Sequence, residues 1–231
     1  MSLAAAPEDW SRGHLRARPA TAGEAWEAGP GIHPLSLGAA RDGQFLVPPG
    51  LDHDKAHPLL IMLHGAGGHA AHAIAAVRGE AEARGIIVLA PESRGGTWDV
   101  VGEGFGPDVS FIDRALEVIF GRLTIDPAQI AIGGFSDGAS YALSLGLTNS
   151  ALVSTILAFS PGFAAPQERT GKPRIFITHG TQDTVLPIDR CSRRIARALT
   201  EDGYDVGYRE FEGGHVLPPD LVAEGLARVE A

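Results

Sequence analysis

A single cysteine, Cys191, stands among 231 residues, so no disulfide framework can staple this chain and the fold does not depend on an oxidising compartment. Cys191 falls in a segment with amphipathic helical spacing, where a buried and inert thiol is expected. No apolar run is long enough to cross a bilayer. The opening residues show no charged region followed by an apolar one, so no signal peptide is read there and the cytoplasm is the expected location. Basic charge is scarce as well. Nineteen Lys and Arg against 28 Asp and Glu leave a net charge of −9, with no basic stripe, which excludes nucleic acid as a partner and disfavours an anionic membrane surface. Internal repeats and low-complexity tracts are also missing.

What is present is an ordinary globular composition, 44% hydrophobic and 20% charged, with 30 glycines that suit many tight turns. The length allows one α/β domain with a sizeable core. Residues 1–40, rich in Ala, Gly, Pro and Arg, read as an N-terminal arm that Trp10 and Trp26 pin to the body. Residues 41–231 read as one domain. Arg41 to Pro48 predicts an edge strand ended by prolines. Leu59 to Leu63 is a continuous apolar run and predicts a central strand covered on both faces. A helix over 70–84, a strand over 86–90, a long glycine-rich loop over 92–107 and a helix over 108–123 follow. Beyond them, strands over 153–159, 174–178 and 208–211 alternate with helices over 187–200 and 218–230. Strict alternation predicts a mostly parallel sheet with helices on both faces and no separate cap domain.

Residues 129–148 are the stretch on which function turns. Ile130 to Gly133 predicts a buried strand and Ala139 to Leu147 a buried helix, with Gly134-Phe135-Ser136-Asp137-Gly138 between them. This is G-x-S-x-G in the strand-to-helix setting that gives the motif its meaning, a tight turn with the serine hydroxyl at its tip. A serine needs a base, and the base needs an orienter. Asp183 follows the strand over 174–178, and His215 follows a Gly-Gly pair after the last strand. The chain order Ser136, Asp183, His215 then assigns nucleophile, orienter and base. Asp189 is a reserve orienter, expected inside the following helix. The oxyanion would take the backbone N–H of Asp137 and of Ala66, the latter in the loop His64-Gly65-Ala66-Gly67-Gly68-His69. The Asp137 carboxylate, at a helix start, is read as structural.

Other readings of these segments fail on chemistry. No Gly-Lys-Ser/Thr follows the glycine-rich loop, so it is not a P-loop. His64, His69 and His72 follow no H-E-x-x-H spacing and recruit no carboxylate or cysteine cluster, so neither a metal nor any other cofactor is expected. His64 and His179 are expected to brace the loops at the strand ends. Trp98, Val100, Val101, Phe105 and Phe163, in loops flanking the elbow, are expected to form the acyl or alcohol pocket.

Taken together, Leu63-His64-Gly65-Ala66-Gly67-Gly68, Asp108-Val109-Ser110-Phe111-Ile112, the Ser136 elbow, His179-Gly180-Thr181-Gln182-Asp183 and Gly213-Gly214-His215 resemble the α/β-hydrolase serine esterases of the phospholipase/carboxylesterase type. They are also similar to the polyhydroxybutyrate-depolymerase and feruloyl-esterase-like group. The resemblance spans about residues 40–231 and implies an α/β-hydrolase fold, a Ser136-Asp183-His215 triad and hydrolysis of carboxylic esters or thioesters; with no lid insertion read in the sequence, short to medium acyl substrates are expected. The implied partner is a small-molecule ester, with a homodimer left open. Acyl-protein thioesterases usually carry Gln after the nucleophile, where this chain has Asp137. Dienelactone hydrolases would carry Cys in place of Ser136. A serine peptidase on the same fold would want a gating domain, which the chain lacks. A protein that binds a small ligand on this scaffold without turnover is the non-enzymatic alternative, and an activated-ester assay separates it.

Overall fold

Along each central strand the side chains alternate between two separate cores, and that alternation dictates the architecture. Leu59, Ile61 and Leu63 enter one buried cluster while Leu60 and Met62 enter the other; Ile156 and Ala158 part from Leu157 and Phe159 in the same way. A strand with apolar residues on both sides must be covered on both sides. The computed structural model describes residues 9–19, 29–52, 54–102 and 104–230. In chain order its strands are β1 (Gly31–Pro34), β2 (Gly43–Val47), β3 (His57–Leu63), β4 (Ile87–Pro91), β5 (Ile125–Phe135), β6 (Thr155–Phe159), β7 (Arg174–Gly180) and β8 (Val206–Phe211). Its helices are α1 (Ala70–Arg84), α2 (Pro107–Arg122), α3 (Asp137–Thr148), α4 (Ser192–Glu201) and α5 (Pro219–Leu226). The strands make one eight-stranded sheet in the order β1-β2-β4-β3-β5-β6-β7-β8. β2 runs antiparallel to both of its neighbours, β1 and β4, and every other adjacent pair is parallel.

That order contains a reversal. From β3 the chain steps to β4 on one side, then crosses back to β5 on the other, leaving a crevice at the C-terminal ends of β3 and β5. Open α/β sheets bind ligands at such a switch point. α1 and α5 contribute Ala70, Ala73, Ile74, Val77, Val222 and Leu226 to one core, and α2, α3 and α4 contribute to the other. α3 is buried on every side, which its Ala, Leu and Gly content permits. Its hydroxyls avoid an unsatisfied burial by bonding back one turn, Ser144 to the Ser140 carbonyl at 2.7 Å and Thr148 to the Ser144 carbonyl at 2.9 Å. They then accept from the stretch after β6, where the amides of Gly162 and Ala165 reach Ser140 and Ser144, each at 2.9 Å.

Three expectations are corrected. β2 lies inside the sheet, not at its edge; the edge is β1, within the stretch assigned to the arm. β1 pairs with β2 through Ile32 against Leu46 and His33 against Phe45. Residues 9–19 are fastened to the body by more than Trp10. Asn149 bonds Leu15 N at 2.8 Å and the Gly13 carbonyl at 2.7 Å, and Asp113 accepts from the amides of Arg16 and Ala17. Trp10 is half-buried under the Arg16 guanidinium; Trp26 lies outside the described residues. The third correction concerns the last long helix, which begins at Ser192 and leaves Cys191 as the residue before it. Cys191 is buried, and burial pushes its thiol pKa up, which keeps it unreactive. No helix among the described residues is long and apolar enough to cross a membrane.

Candidate active site

The G-x-S-x-G turn is built by steric necessity. A Cβ on Gly134 would lie 2.4 Å from the Gly138 backbone, and one on Gly138 would lie 2.4 Å from the Leu63 carbonyl oxygen and 2.5 Å from that of His64. Only glycine lets the start of α3 dock this closely on the end of β3. Between them Ser136 is forced to φ 58° and ψ −121°, a conformation that costs a non-glycine residue about 1–3 kcal/mol and persists only where its surroundings impose it. The Ser136 amide is anchored on the Phe159 carbonyl at 2.9 Å.

Two amides beside the serine are free. Neither Ala66 N–H nor Asp137 N–H donates to an acceptor among the described residues, whereas Gly67 bonds the Gly96 carbonyl at 2.7 Å and Gly68 the Gly65 carbonyl at 3.0 Å. The loop carrying Ala66 abuts the elbow, since a Cβ on Gly65 would sit 3.4 Å from the Ser136 Cβ. His64 holds that loop rigid. Its Nδ1 bonds the Gly65 carbonyl at 2.7 Å and its Nε2 accepts from Ser93 N at 3.1 Å, an arrangement that fits a neutral ring. Burial lowers its pKa and keeps it neutral. The Asp137 carboxylate accepts from the Thr97 hydroxyl at 2.7 Å and ties the 92–107 loop to the elbow, a structural task.

Asp183 and His215 come together from β7 and β8. The strands run side by side to the Gly180–Phe211 pair. A Cβ on Gly180 would then lie 2.3 Å from the Gly214 carbonyl oxygen, so the two loops touch. His215 Nδ1 bonds Asp183 Oδ2 at 2.6 Å. Asp183 Oδ1 accepts from Val185 N and Leu186 N, each at 2.8 Å, and His179 Nε2 stands 3.1 Å from Oδ2. Burial alone would raise the Asp183 pKa, but the Leu186 amide, His215 and the Val185 amide outweigh it and bring the pKa below the usual value. His179 is neutral, its pKa lowered chiefly by burial, and it braces the turn through the Leu186 carbonyl and Ser192. No hydrogen bond joins the Ser136 hydroxyl to His215 among the described residues. What links them is Phe135, whose ring centroid lies 4.7 Å from that of His215. Asp189 is exposed in the turn before α4 and bonds Arg193 at 2.8 Å, so it is not a second orienter.

The expected pocket residues divide. Trp98 and Phe105 are 1% and 5% exposed and face inward. Trp98 donates to the His64 carbonyl at 2.8 Å and stacks on Tyr141, and Phe105 meets Tyr141 edge-on. Both are wall material behind the loop that carries Ala66 and are buried away from solvent. Val100 is packed against the core and Val101 points to solvent. Phe163 lines a cleft beside α4. His69 faces Glu92 at 3.6 Å and its ring centroid lies 5.7 Å from that of His72, while His64 is engaged as above. The sequence reading missed Ser140, whose hydroxyl couples α3 to the stretch after β6. Its signal was visible in the spacing of Ser140, Ser144 and Thr148, one hydroxyl per turn along an apolar helix.

Where the 92–107 loop meets α2 lies a carboxylate pair, Asp108 buried and Asp99 half-buried. Asp108 is 1% exposed and accepts from Arg94 N at 2.5 Å and Asp99 N at 2.7 Å, while its own amide donates to Asp99 at 2.9 Å. Burial, in spite of these bonds, pushes its pKa up to about 6. A carboxyl with a raised folded-state pKa contributes stability below its unfolded pKa and loses it as pH rises through the folded value. Wild type should therefore lose on the order of 2 kcal/mol more stability than Asp108→Asn between about pH 4 and pH 7. Urea unfolding of both proteins at the two pH values measures this. Parallel losses would show that Asp108 does not carry the titration.

The doubly covered, mostly parallel sheet with a serine elbow at its switch point defines the class: this is an α/β-hydrolase fold. Residues 110–224 match the model of the phospholipase/carboxylesterase family. It is 30% identical over 154 residues to feruloyl esterase C of Emericella nidulans, covering 62% of this chain and 55% of the relative. It is 29% identical over 110 residues to acyl-protein thioesterase 1 of Gibberella zeae, covering 43% of this chain and 46% of that one. The chain thus spans about half the length of these curated relatives. Among solved structures it is similar to esterase PE8, with a TM-score of 0.66 and 23% identity over 82% of this chain and 97% of the other.

Proposed function

We propose that the protein hydrolyses carboxylic esters through an acyl-serine intermediate. Ser136 Oγ attacks the ester carbonyl while His215 Nε2 takes its proton. The amides of Ala66 and Asp137 stabilise the oxyanion, and the imidazolium, held by Asp183, returns the proton to the departing alcohol. Water then attacks the acyl-enzyme by the same route and the acid leaves. The observation that carries this reading is the 2.6 Å bond from His215 Nδ1 to an Asp183 whose other oxygen is locked by two amides. A histidine held so firmly at Nδ1 leaves Nε2 as its working nitrogen.

Short to medium acyl esters or thioesters fit best, since no cap is inserted over the C-terminal ends of the described strands. The names of the relatives bring feruloyl esters and acyl thioesters within that class, and the single cysteine fits a reducing compartment such as the cytoplasm. Intact-protein mass after treatment with a fluorophosphonate tests the reading. Wild type should gain one adduct, Ser136→Ala none, and His215→Ala should react at least a hundred-fold more slowly. Folded wild type that gains no adduct would leave a small-ligand-binding protein as the better account.

A further inference from the structure

A cleft of about 170 Å³ lies between the stretch after β6 and α4. Phe163, Ile195 and Leu199 supply apolar walls, and Arg169, Arg190 and Arg194 line it as well. Arg169 is neutralised by Asp202. On α4 itself, Arg193 is paired with Asp189 and Glu210. Arg190 and Arg194 have no ion-pair partner among the described residues, although the chain carries a net charge of −9. In an acidic protein with carboxylates to spare, two unneutralised guanidiniums sharing one cleft form a local positive field.

The cleft is mechanically tied to both halves of the catalytic centre. Gly162, at its edge, donates to Ser140 Oγ at 2.9 Å, and Ser140 lies one turn beyond Ser136 on α3, about 6 Å along the helix axis. On the other side a Cβ on Gly162 would lie 3.3 Å from the Leu186 side chain, and the Leu186 amide holds Asp183. Gly162 thus touches one residue that follows Ser136 by a helical turn and another whose amide holds Asp183. A cavity of about 150 Å³ accommodates a benzene ring, so the space here suits an aryl ring or a short alkyl chain.

We propose that this cleft is a substrate subsite for a carboxylate-bearing ester, with the apolar part of the ligand against Phe163, Ile195 and Leu199 and its carboxylate on Arg190 and Arg194. Guanidinium forks recognise carboxylates in a charge-assisted, bidentate fashion that a neutral ester cannot use. The proposal rests on the esterase reading above and gives it a preference among substrates.

Two matched pairs of esters test it, one with the anion on the acyl side (4-nitrophenyl hemiglutarate against 4-nitrophenyl valerate) and one with it on the alcohol side (4-acetoxybenzoate against phenyl acetate). The readout is the ratio of kcat/KM, anionic over neutral, compared between proteins so that leaving-group differences cancel. In Arg190→Glu/Arg194→Glu the ratio should fall about ten-fold or more for one of the pairs, mainly through KM. Arg197→Glu changes charge on the same helix outside the cleft and should hold the ratio within about two-fold. Unchanged ratios in the double variant, or an equal fall in Arg197→Glu, would overturn the proposal. Should wild type hydrolyse no ester at all, the esterase reading fails, and calorimetric binding of 4-phenylbutyrate then reads the cleft alone. Binding to wild type that weakens about ten-fold in the double variant supports it; equal binding, or none to wild type, refutes it.

Discussion

Asp183→Asn is expected to lower kcat on a simple aryl ester by about 10⁴-fold with little change in KM. The substitution is nearly isosteric, and the amide oxygen can still accept from Val185 and Leu186, so the turn after β7 should keep its shape. The new NH₂ then has nowhere good to point. It replaces an oxygen that now faces His215 Nδ1 at 2.6 Å and His179 Nε2 at 3.1 Å. His179 cannot become the acceptor, because its Nε2 is engaged with the Leu186 carbonyl at 2.8 Å. His215 must therefore turn Nδ1 into the acceptor and carry its proton on Nε2, where it can no longer take one from Ser136. The loss belongs to the chemical step, so affinity is spared. Asp189→Asn, at a carboxylate whose one ion-pair partner among the described residues is Arg193, should change kcat less than about two-fold. Steady-state kinetics on both variants, with thermal unfolding as a check on folding, decide the matter. An Asp183→Asn enzyme within ten-fold of wild type would remove Asp183 from the mechanism.

Ser136, Asp183 and His215 could be singled out from the sequence because each stands at a strand end marked by glycine, and those glycines do steric work that leaves a local trace. Gly134 and Gly138 close the elbow, while Gly180 lets one loop lie on the next. The strands were equally visible, since burial on both faces demands continuous apolar runs such as Leu59 to Leu63. Trp98 and Phe105 were misplaced for the opposite reason. In a loop no period says which way a side chain faces. Their inward turn is decided by distant partners: the His64 carbonyl for Trp98, and Tyr141 of α3 for both. β1 was hidden because Gly-Ile-His-Pro has little strand character of its own and owes its pairing to β2. The start of α4 shifted because residues 187–191 close tight turns, with Arg190 N on the Pro187 carbonyl and Cys191 N on the Ile188 carbonyl, before the helix begins. That shift leaves Asp189 exposed in the turn and bonded to Arg193, while His215 is bonded to Asp183.

Gly138→Ala should be among the most damaging single-methyl changes in the molecule, lowering stability by about 3 kcal/mol or more. For a chain of this size that corresponds to a fall in Tm of roughly 6–12 °C. The conformation at residue 138 is ordinary for alanine, so backbone strain is not the cause. The added carbon would meet the carbonyl oxygens of Leu63 and His64 at 2.4 and 2.5 Å, and neither can yield as a flexible side chain would. Either α3 lifts off β3 or the end of β3 moves, and both routes carry function with them. The His64 carbonyl receives the Trp98 indole, and the residues just beyond it hold the Ala66 amide against the elbow. Any adjustment that relieves the contact therefore opens the distance between Ala66 and Asp137, the two amides that would share one oxyanion. Activity should fall by more than the loss of folded protein explains, about a hundred-fold, the order of losing one oxyanion donor. Gly79→Ala makes the contrast, since a Cβ there meets nothing within 4 Å on α1. It should raise stability by about 0.5–1 kcal/mol through helix propensity alone. Calorimetry and kcat on the two variants distinguish contact from composition: if Gly138→Ala melts and turns over like wild type, the close docking of α3 on β3 does not hold the site.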